Sequence, residues 1–428
     1  MCAYTLDRWP LIERAVESLR AQSLPLFETI IVSDGNEKLR RRASERWPAC
    51  GVVANRYERG LSGARNTGVD VARGDLLMFL DDDAAAPPTW LERVLPHFRD
   101  DRVAAVGSGV VPEWSDGRPP WFPPEFYWVV GCSYRGLPTS TAPIRNPIGA
   151  AMVFRRSALL KAGPFRPEVG RIGKVPWGCE ETELSIRVRA HGLTILYEPD
   201  VAVKHTVTPD RTTIRYFVSR CWGEGQSKAA VGRLVGTSDG LESERVYVRS
   251  TLPAALRRNF GQVARGRNRR DAFAQSATIV LGLSVTAAGY VKGLARNSPG
   301  PALPVAAPSR GEPGTIGRWS SRTARGIDAA VAVTGFTLAI FVAVDARSFT
   351  RAMAALAFFL VCPGWSVLRT FRAPGSQLTM FAAVGLSVAL TFIVGQTLAF
   401  FAWDWQAATI AMATTATAVS ISNAVLHE

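Results

Sequence analysis

Cysteine is scarce and scattered. The chain has six in 428 residues (Cys2, Cys50, Cys132, Cys179, Cys221 and Cys362), with no C-x-x-C pair. That distribution argues against a structural zinc site and against a disulfide framework, and it fits a reducing compartment for the soluble part of the chain. No apolar leader precedes the first polar helix, so the N-terminal half is expected to stay in the cytoplasm. Acidic residues are outnumbered by basic ones, 36 against 50, for a formal net charge of +14. An excess of that sign points to an anionic partner: nucleic acid, a membrane surface or a polyanionic substrate. The length allows two or three domains, with ample apolar content for a core.

The most informative stretch runs from Gly60 to Asp83, GLSGARNTGVDVARGDLLMFLDDD. A Gly-rich loop and a helical turn lead into an apolar strand, Leu76 to Leu80, which ends in Asp81, Asp82 and Asp83. A buried strand that delivers carboxylates at its C-terminal end is how an open α/β sheet builds a ligand site. Carboxylates one residue apart can share one hard cation, which in turn can hold a diphosphate. An isolated Asp cluster would read as a turn; the loop and strand before it point to a site.

Upstream, Leu11, Ile12, Ala15, Val16 and Leu19 recur at helical spacing, and Glu28 to Ser33 reads as a short strand ending at Asp34. Val52-Val53 is a weaker strand. Downstream, Pro87 and Pro88 precede a helix through Trp90, Leu91, Val94 and Leu95, and a strand covers Val103 to Val111. Strands and helices that alternate in this way predict an α/β fold with a mainly parallel sheet. Residues 112 to 147 are rich in Trp, Pro, Phe and Tyr without a clean period. They read equally as a loop packed by its own aromatics or as a platform on which sugar rings or lipid tails stack. A Gly-containing loop then leads into Trp177-Gly178-Cys179-Glu180-Glu181-Thr182-Glu183 and a helix marked by Leu184, Ile186 and Val188. The helix dipole accounts for one glutamate in a first turn; three in four residues exceed that need.

The C-terminal half changes character. Arg249, Arg257, Arg258, Arg265, Arg267, Arg269 and Arg270 precede an apolar segment, Phe273 to Leu294, which is expected to lie in or along the cytoplasmic membrane interface. Residues 251–296 thus form a basic interfacial segment. Residues 297–326 read as a linker rich in Pro, Gly, Ser and Arg. Four long apolar stretches follow, Ile327–Val344, Ala352–Leu368, Leu378–Trp403 and Gln406–Leu426, and predict about four transmembrane helices over 327–428. Arg369 and Arg372 with the linker would stay cytoplasmic and the turn at Trp403-Asp404-Trp405 would face out. Because the basic run adjoins this region, anionic lipid headgroups account for it better than nucleic acid does.

With Cys2-Ala3-Tyr4-Thr5, Asp34, Gly63-Ala64-Arg65-Asn66, Asp81-Asp82-Asp83 and Cys179-Glu180-Glu181-Thr182-Glu183 read in order, residues 1–250 resemble family 2 glycosyltransferases of the GT-A fold. The resemblance implies a mostly parallel sheet flanked by helices, a nucleotide-sugar donor with a UDP-sugar as first choice, a divalent metal and inversion at the anomeric carbon. By position it implies that Tyr4 lies near the nucleoside and that Asp34 binds base or ribose. Arg65 and Asn66 would face nucleotide and phosphates, with Asp81, Asp82 and Asp83 at ribose and metal. Glu181 would be the catalytic base, with Glu180 and Glu183 as acidic neighbours. His205 would follow a later strand as a further metal ligand, although a histidine alone is more often structural. The family's first strand usually begins several residues before the CAYT stretch, so a functional chain is expected to begin upstream of Met1. The ED motif reads Glu-Glu here, and the QxxRW motif of processive synthases is absent, Arg220-Cys221-Trp222 being a loose echo. A single transfer therefore fits better than polymerisation.

Charge supplies the mechanism implied. Mg²⁺ or Mn²⁺ on oxygen ligands would stabilise the departing diphosphate, and Glu181 would deprotonate the acceptor hydroxyl. Membrane attachment favours a lipid-linked or cell-envelope glycan acceptor, with the enzyme a multi-pass membrane protein whose catalytic domain is cytoplasmic. Two other readings use the same residues. A nucleotidyl- or phosphotransferase leaves the late acidic helix without a purpose, and a non-catalytic membrane scaffold leaves the complete acidic set without one.

Overall fold

A computed structural model describes residues 1–170, 177–236, 242–266, 268–295 and the single residue Cys362. Met1–Pro301 forms one compact unit and Ala302–Glu428 a second. The four apolar stretches expected to span a membrane lie outside the described residues.

The first unit opens with alternating strands and helices. Strand β1 (Cys2–Ala3) is followed by helix α1 (Trp9–Arg20), β2 (Ile30–Ser33), α2 (Glu37–Arg46), β3 (Gly51–Ala54), α3 (Leu61–Val71) and β4 (Leu76–Leu80). Helix α1 buries Trp9, Ile12, Ala15, Val16 and Leu19, one stripe at three- and four-residue spacing, and turns Glu17 and Arg20 outward. Asn36 caps α2 by accepting the Leu39 N–H at 3.0 Å, and Trp47 beyond its end stacks on Trp9 with ring centroids 5.2 Å apart. Strands β1, β2 and β3 pair in parallel, Cys2 opposite Val32 and Ile30 opposite Gly51.

The second sheet is mixed. It adds β5 (Ala84–Ala85), β6 (Val103–Trp114), β7 (Ala142–Pro143), β8 (Ala151–Arg155) and β9 (Thr194–Val207), in the order β4-β8-β6-β9-β5 with β7 also on β9. Only β6 and β9 run parallel; β4 with β8, β8 with β6, β5 with β9 and β7 with β9 are antiparallel. The expected mainly parallel sheet is thus confined to β1–β3 and the β6/β9 pair. The departure comes from β8, which runs back between β4 and β6, and from β5 and β7, which each run against β9. A parallel bridge between Cys2 and Asp81 joins the two sheets, placing the end of β1 beside the end of β4. Tyr4 and the three aspartates therefore meet at one crevice.

Helices make up most of the remaining elements. Helix α4 (Trp90–Val94) follows β5, α5 (Arg156–Ala162) follows β8, and α6 (Glu180–Ala190) leads into β9. Helix α7 (Ile214–Val235) then runs for 22 residues, and after a short turn of helix at Glu242–Val246 come α8 (Leu252–Ala264) and α9 (Arg269–Leu294). Helices α7 and α9 touch backbone to backbone. A Cβ at Gly225 would stand 2.1 Å from the Thr286 carbonyl oxygen, and one at Gly289 would stand 2.3 Å from that of Trp222. Helix α9 is long and apolar enough to cross a membrane by length and composition, and a third of its most apolar window is buried.

The aromatic stretch packs on itself, as the first of the two expectations has it. Phe122 and Phe126 are fully buried and pack on Phe217 of α7 at 5.6 and 5.3 Å, with Trp114 of β6 against Phe122 at 5.3 Å. Those rings are core. Trp121, Tyr127 and Trp128 are only partly buried around it.

Candidate active site

Strand β4 ends at Leu80 and the three aspartates follow in a turn, closed by the Ala84 N–H on the Asp81 carbonyl at 3.1 Å. Asp81 keeps a third of its side chain exposed, whereas Asp82 and Asp83 are buried. A buried carboxylate needs partners, and Asp83 has three. Its Oδ2 accepts from Arg211 Nη2 at 2.9 Å and lies 3.2 Å from Arg8 Nη1, while Oδ1 is 3.0 Å from His205 Nε2. Burial opposes the charge on Asp83, but His205, Arg211 and Arg8 outweigh it and hold the carboxyl well below the usual range. Asp82 fares differently. Burial and the neighbouring Asp83 push it up to about 7 against the pull of Arg8, which donates to its Oδ1 at 3.1 Å. Its Oδ2 is buried with no partner among the described residues.

His205 lies within β9, not after it, and pairs there with Ala84 of β5. That ladder brings a residue distant in sequence against the aspartates. The donor atoms of Asp81, Asp83 and His205 all lie within 4.8 Å of one another. Two carboxylates suit Mg²⁺ or Mn²⁺, and the added imidazole favours the transition metal of the two. The 3.0 Å between His205 Nε2 and Asp83 Oδ1 also fits. Neighbouring ligands of an octahedral ion at about 2.1 Å stand about 3 Å apart. The residues therefore fit a divalent ion held by Asp81, Asp83 and His205.

Arg65, on α3, ties this cluster to the second acidic group. The loop before α3 passes so close that a Cβ at Gly63 would fall 2.1 Å from the Glu58 carbonyl oxygen, so the position admits only glycine. Gly60 N–H donates to Asp34 Oδ2 at 3.0 Å and Asn55 Nδ2 to Oδ1 at 2.8 Å, which ties the loop to the end of β2. The buried Arg65 donates to Glu180 Oε1 at 2.8 Å and to the Gly149 carbonyl at 3.0 Å, and lies 3.6 Å from Asp81 Oδ1. Asn66 beside it spends both ends of its amide on the backbone of Phe165, at 2.9 and 2.8 Å. Its geometry is that of a clamp between α3 and the loop after α5, and the expected donor contact has no support there. Tyr4 lies at the crevice under Arg8, whose guanidinium sits 5.4 Å from the ring centroid.

The three glutamates of α6 separate by environment. Cys179 enters the helix with φ 76°, a left-handed conformation that a non-glycine residue adopts under strain. Glu180 pairs with Arg65 through one oxygen and leaves Oε2 buried without a partner among the described residues. Glu181 is half-buried, and burial together with Glu180 pushes its carboxyl up to about 8, with Arg65 pulling the other way. Glu183 is fully buried and bonded to Arg187 at 2.7 and 2.8 Å and to Arg166 at 3.2 Å. Glu183→Gln should therefore destabilise the fold by roughly 3 kcal/mol, the low end for breaking a buried pair. Thermal unfolding should register it while turnover of the folded fraction holds. Arg8 and Arg211 are additions that motif order gave no sign of.

Residues 1–163 match the model of glycosyl transferase family 2. Over 239 residues the chain is 33% identical to a glucosyl-dolichyl phosphate glucuronosyltransferase of Haloferax volcanii, covering 55% of this chain and 76% of that protein. It is 27% identical over 244 residues to the succinoglycan biosynthesis protein ExoM of Rhizobium meliloti, covering 55% and 74%. A mannosyltransferase of Pyrobaculum calidifontis solved with GDP-Man and Mn²⁺ aligns at a TM-score of 0.43 and 17% identity, over 69% of this chain and 87% of that one, a likeness too loose to bear on the site. With its acidic constellations, the chain is a glycosyltransferase. It belongs to glycosyl transferase family 2.

Proposed function

We propose that the enzyme moves a sugar from a nucleotide-sugar donor, a UDP-sugar first, onto a lipid-linked or cell-envelope glycan acceptor, with inversion and with a divalent metal. One observation carries the reading: Arg65 contacts both acidic groups, Asp81 at 3.6 Å and Glu180 at 2.8 Å. Arg65 thus links the candidate metal cluster to the helix start that carries the candidate base, Glu181. The acceptor class is supported by the apolar helix α9 and by the relative whose name gives a glucosyl-dolichyl phosphate as its substrate. On the same grounds we place the enzyme at the cell membrane with its catalytic unit cytoplasmic.

In this reading a divalent ion held by Asp81, Asp83 and His205 would supply positive charge for the departing diphosphate. The chain's own residues do the rest. Glu181 takes the proton of the acceptor hydroxyl as it attacks the anomeric carbon from the face opposite the leaving group. A carboxyl raised to about 8 is a stronger base than an ordinary glutamate, and a base works best with a pKa near the working pH. Glu180 and Arg65 hold the helix start in place. Asp34 keeps the Gly60 loop folded over the donor side. The test is a panel of nucleotide sugars screened by thermal shift on the purified full chain, with and without Mn²⁺. One nucleotide class should stabilise the protein in a Mn²⁺-dependent way; a panel without any stabilising nucleotide would contradict the reading.

A further inference from the structure

His205 presents two ring nitrogens to two environments. Nε2 faces Asp83, and Nδ1 faces Cys132, whose Sγ lies 3.8 Å away. Both residues are buried, Cys132 completely. Gly131, at φ 77°, turns the chain beside the ring, and a Cβ on it would stand 3.5 Å from the His205 imidazole. The Val130 carbonyl offers the Cys132 thiol hydrogen an acceptor other than Nδ1. A thiol has one hydrogen, and the Val130 carbonyl, 3.7 Å from Sγ, can only accept it. With that hydrogen given to Val130, Sγ offers His205 only lone pairs, and the facing ring hydrogen sits on Nδ1.

We propose that Cys132 is a positioning residue of the metal site, which takes the Nδ1 hydrogen of His205 and so leaves the Nε2 lone pair aimed at the cation position beside Asp81 and Asp83. The inference rests on the metal reading of that cluster. The other ring hydrogen of a metal-bound histidine usually goes to a carboxylate, a carbonyl or water, which fixes tautomer and ring orientation. A thiol here does the same without adding negative charge next to Asp83, which already gathers two arginines.

The test compares the full chain with Cys132→Val, which keeps the bulk and loses the acceptor, and Cys132→Ser, which keeps one hydrogen to give and lone pairs to receive. Mn²⁺ uptake followed by electron paramagnetic resonance should weaken about 10- to 100-fold in Cys132→Val, the range for losing such a supporting contact, and stay near wild type in Cys132→Ser. The chain has four histidines, so selective ¹⁵N labelling of the Mg²⁺-loaded protein should show the His205 hydrogen on Nδ1. A hydrogen on Nε2 in the wild-type spectrum overturns the proposal without any variant. Uptake that Asp83→Asn abolishes and Cys132→Val leaves unchanged also overturns it, with the metal reading intact. A wild-type chain that takes up no Mn²⁺ overturns the metal reading itself.

Discussion

Glu181→Gln should lower turnover about 10²- to 10⁴-fold, the usual contribution of a general base, with little change in donor affinity. Glutamine keeps the size of the side chain and removes its ability to take a proton. The pH dependence should change with it. Burial and Glu180 raise the Glu181 carboxyl to about 8, so the deprotonated, active fraction grows as pH rises. In the wild type, kcat/KM should therefore climb with pH and level off above about 8. The limb should vanish in Glu181→Gln, whose residual rate has no such base to titrate. Glu180→Gln should behave otherwise: it strips Arg65 of its buried counter-charge, so stability falls, and the pH limb persists but moves to lower pH because one of the two causes that raise Glu181 is gone. If Glu181→Gln keeps near-normal turnover while Glu180→Gln is dead, the base is the wrong glutamate by one residue.

Asp83→Asn should abolish Mn²⁺-dependent donor binding, a loss beyond the roughly 10- to 100-fold expected from supporting contacts alone. The structure changes how this variant must be chosen. Alanine would not serve, because the carboxylate is the shared partner of Arg8, Arg211 and His205 and its loss would leave those groups facing an empty space. Asparagine keeps an acceptor oxygen for Arg211 and removes the charge. Calorimetric titration with a nucleoside diphosphate, with Mn²⁺ present and absent, reads the effect. Equal Mn²⁺ enhancement in wild type and variant would refute the assignment.

Elements with a local signature were legible in the sequence. The spacing of Ile12, Ala15, Val16 and Leu19 gave α1, and β4 spans the residues its apolar run marked, Leu76–Leu80. Sheet direction was not legible, because β8 joins β4 and β6 through pairings that no local pattern encodes. The acidic residues were legible as an ordered set. Their partners were not. A buried Asp83 demands cations, but the sequence holds 50 lysines and arginines and gives no hint that Arg211, 128 residues on, is one. The same holds for Cys132, 73 residues from the ring it touches. Asn66 shows the converse. Its place beside Arg65 suggested the donor, whereas its amide closes a loop at Phe165.

The central claim is transfer of a sugar with inversion onto a lipid-linked acceptor. It is tested most directly by incubating the membrane-embedded full chain with a labelled nucleotide sugar and extracted polyprenyl-phosphate-linked saccharides, then determining the anomeric configuration of the lipid-bound product by NMR. The expected result is Mn²⁺-dependent label in the lipid fraction, with configuration opposite to that of the donor and lost in Glu181→Gln. A product of retained configuration, or nucleoside diphosphate released with no sugar on any acceptor, would contradict it.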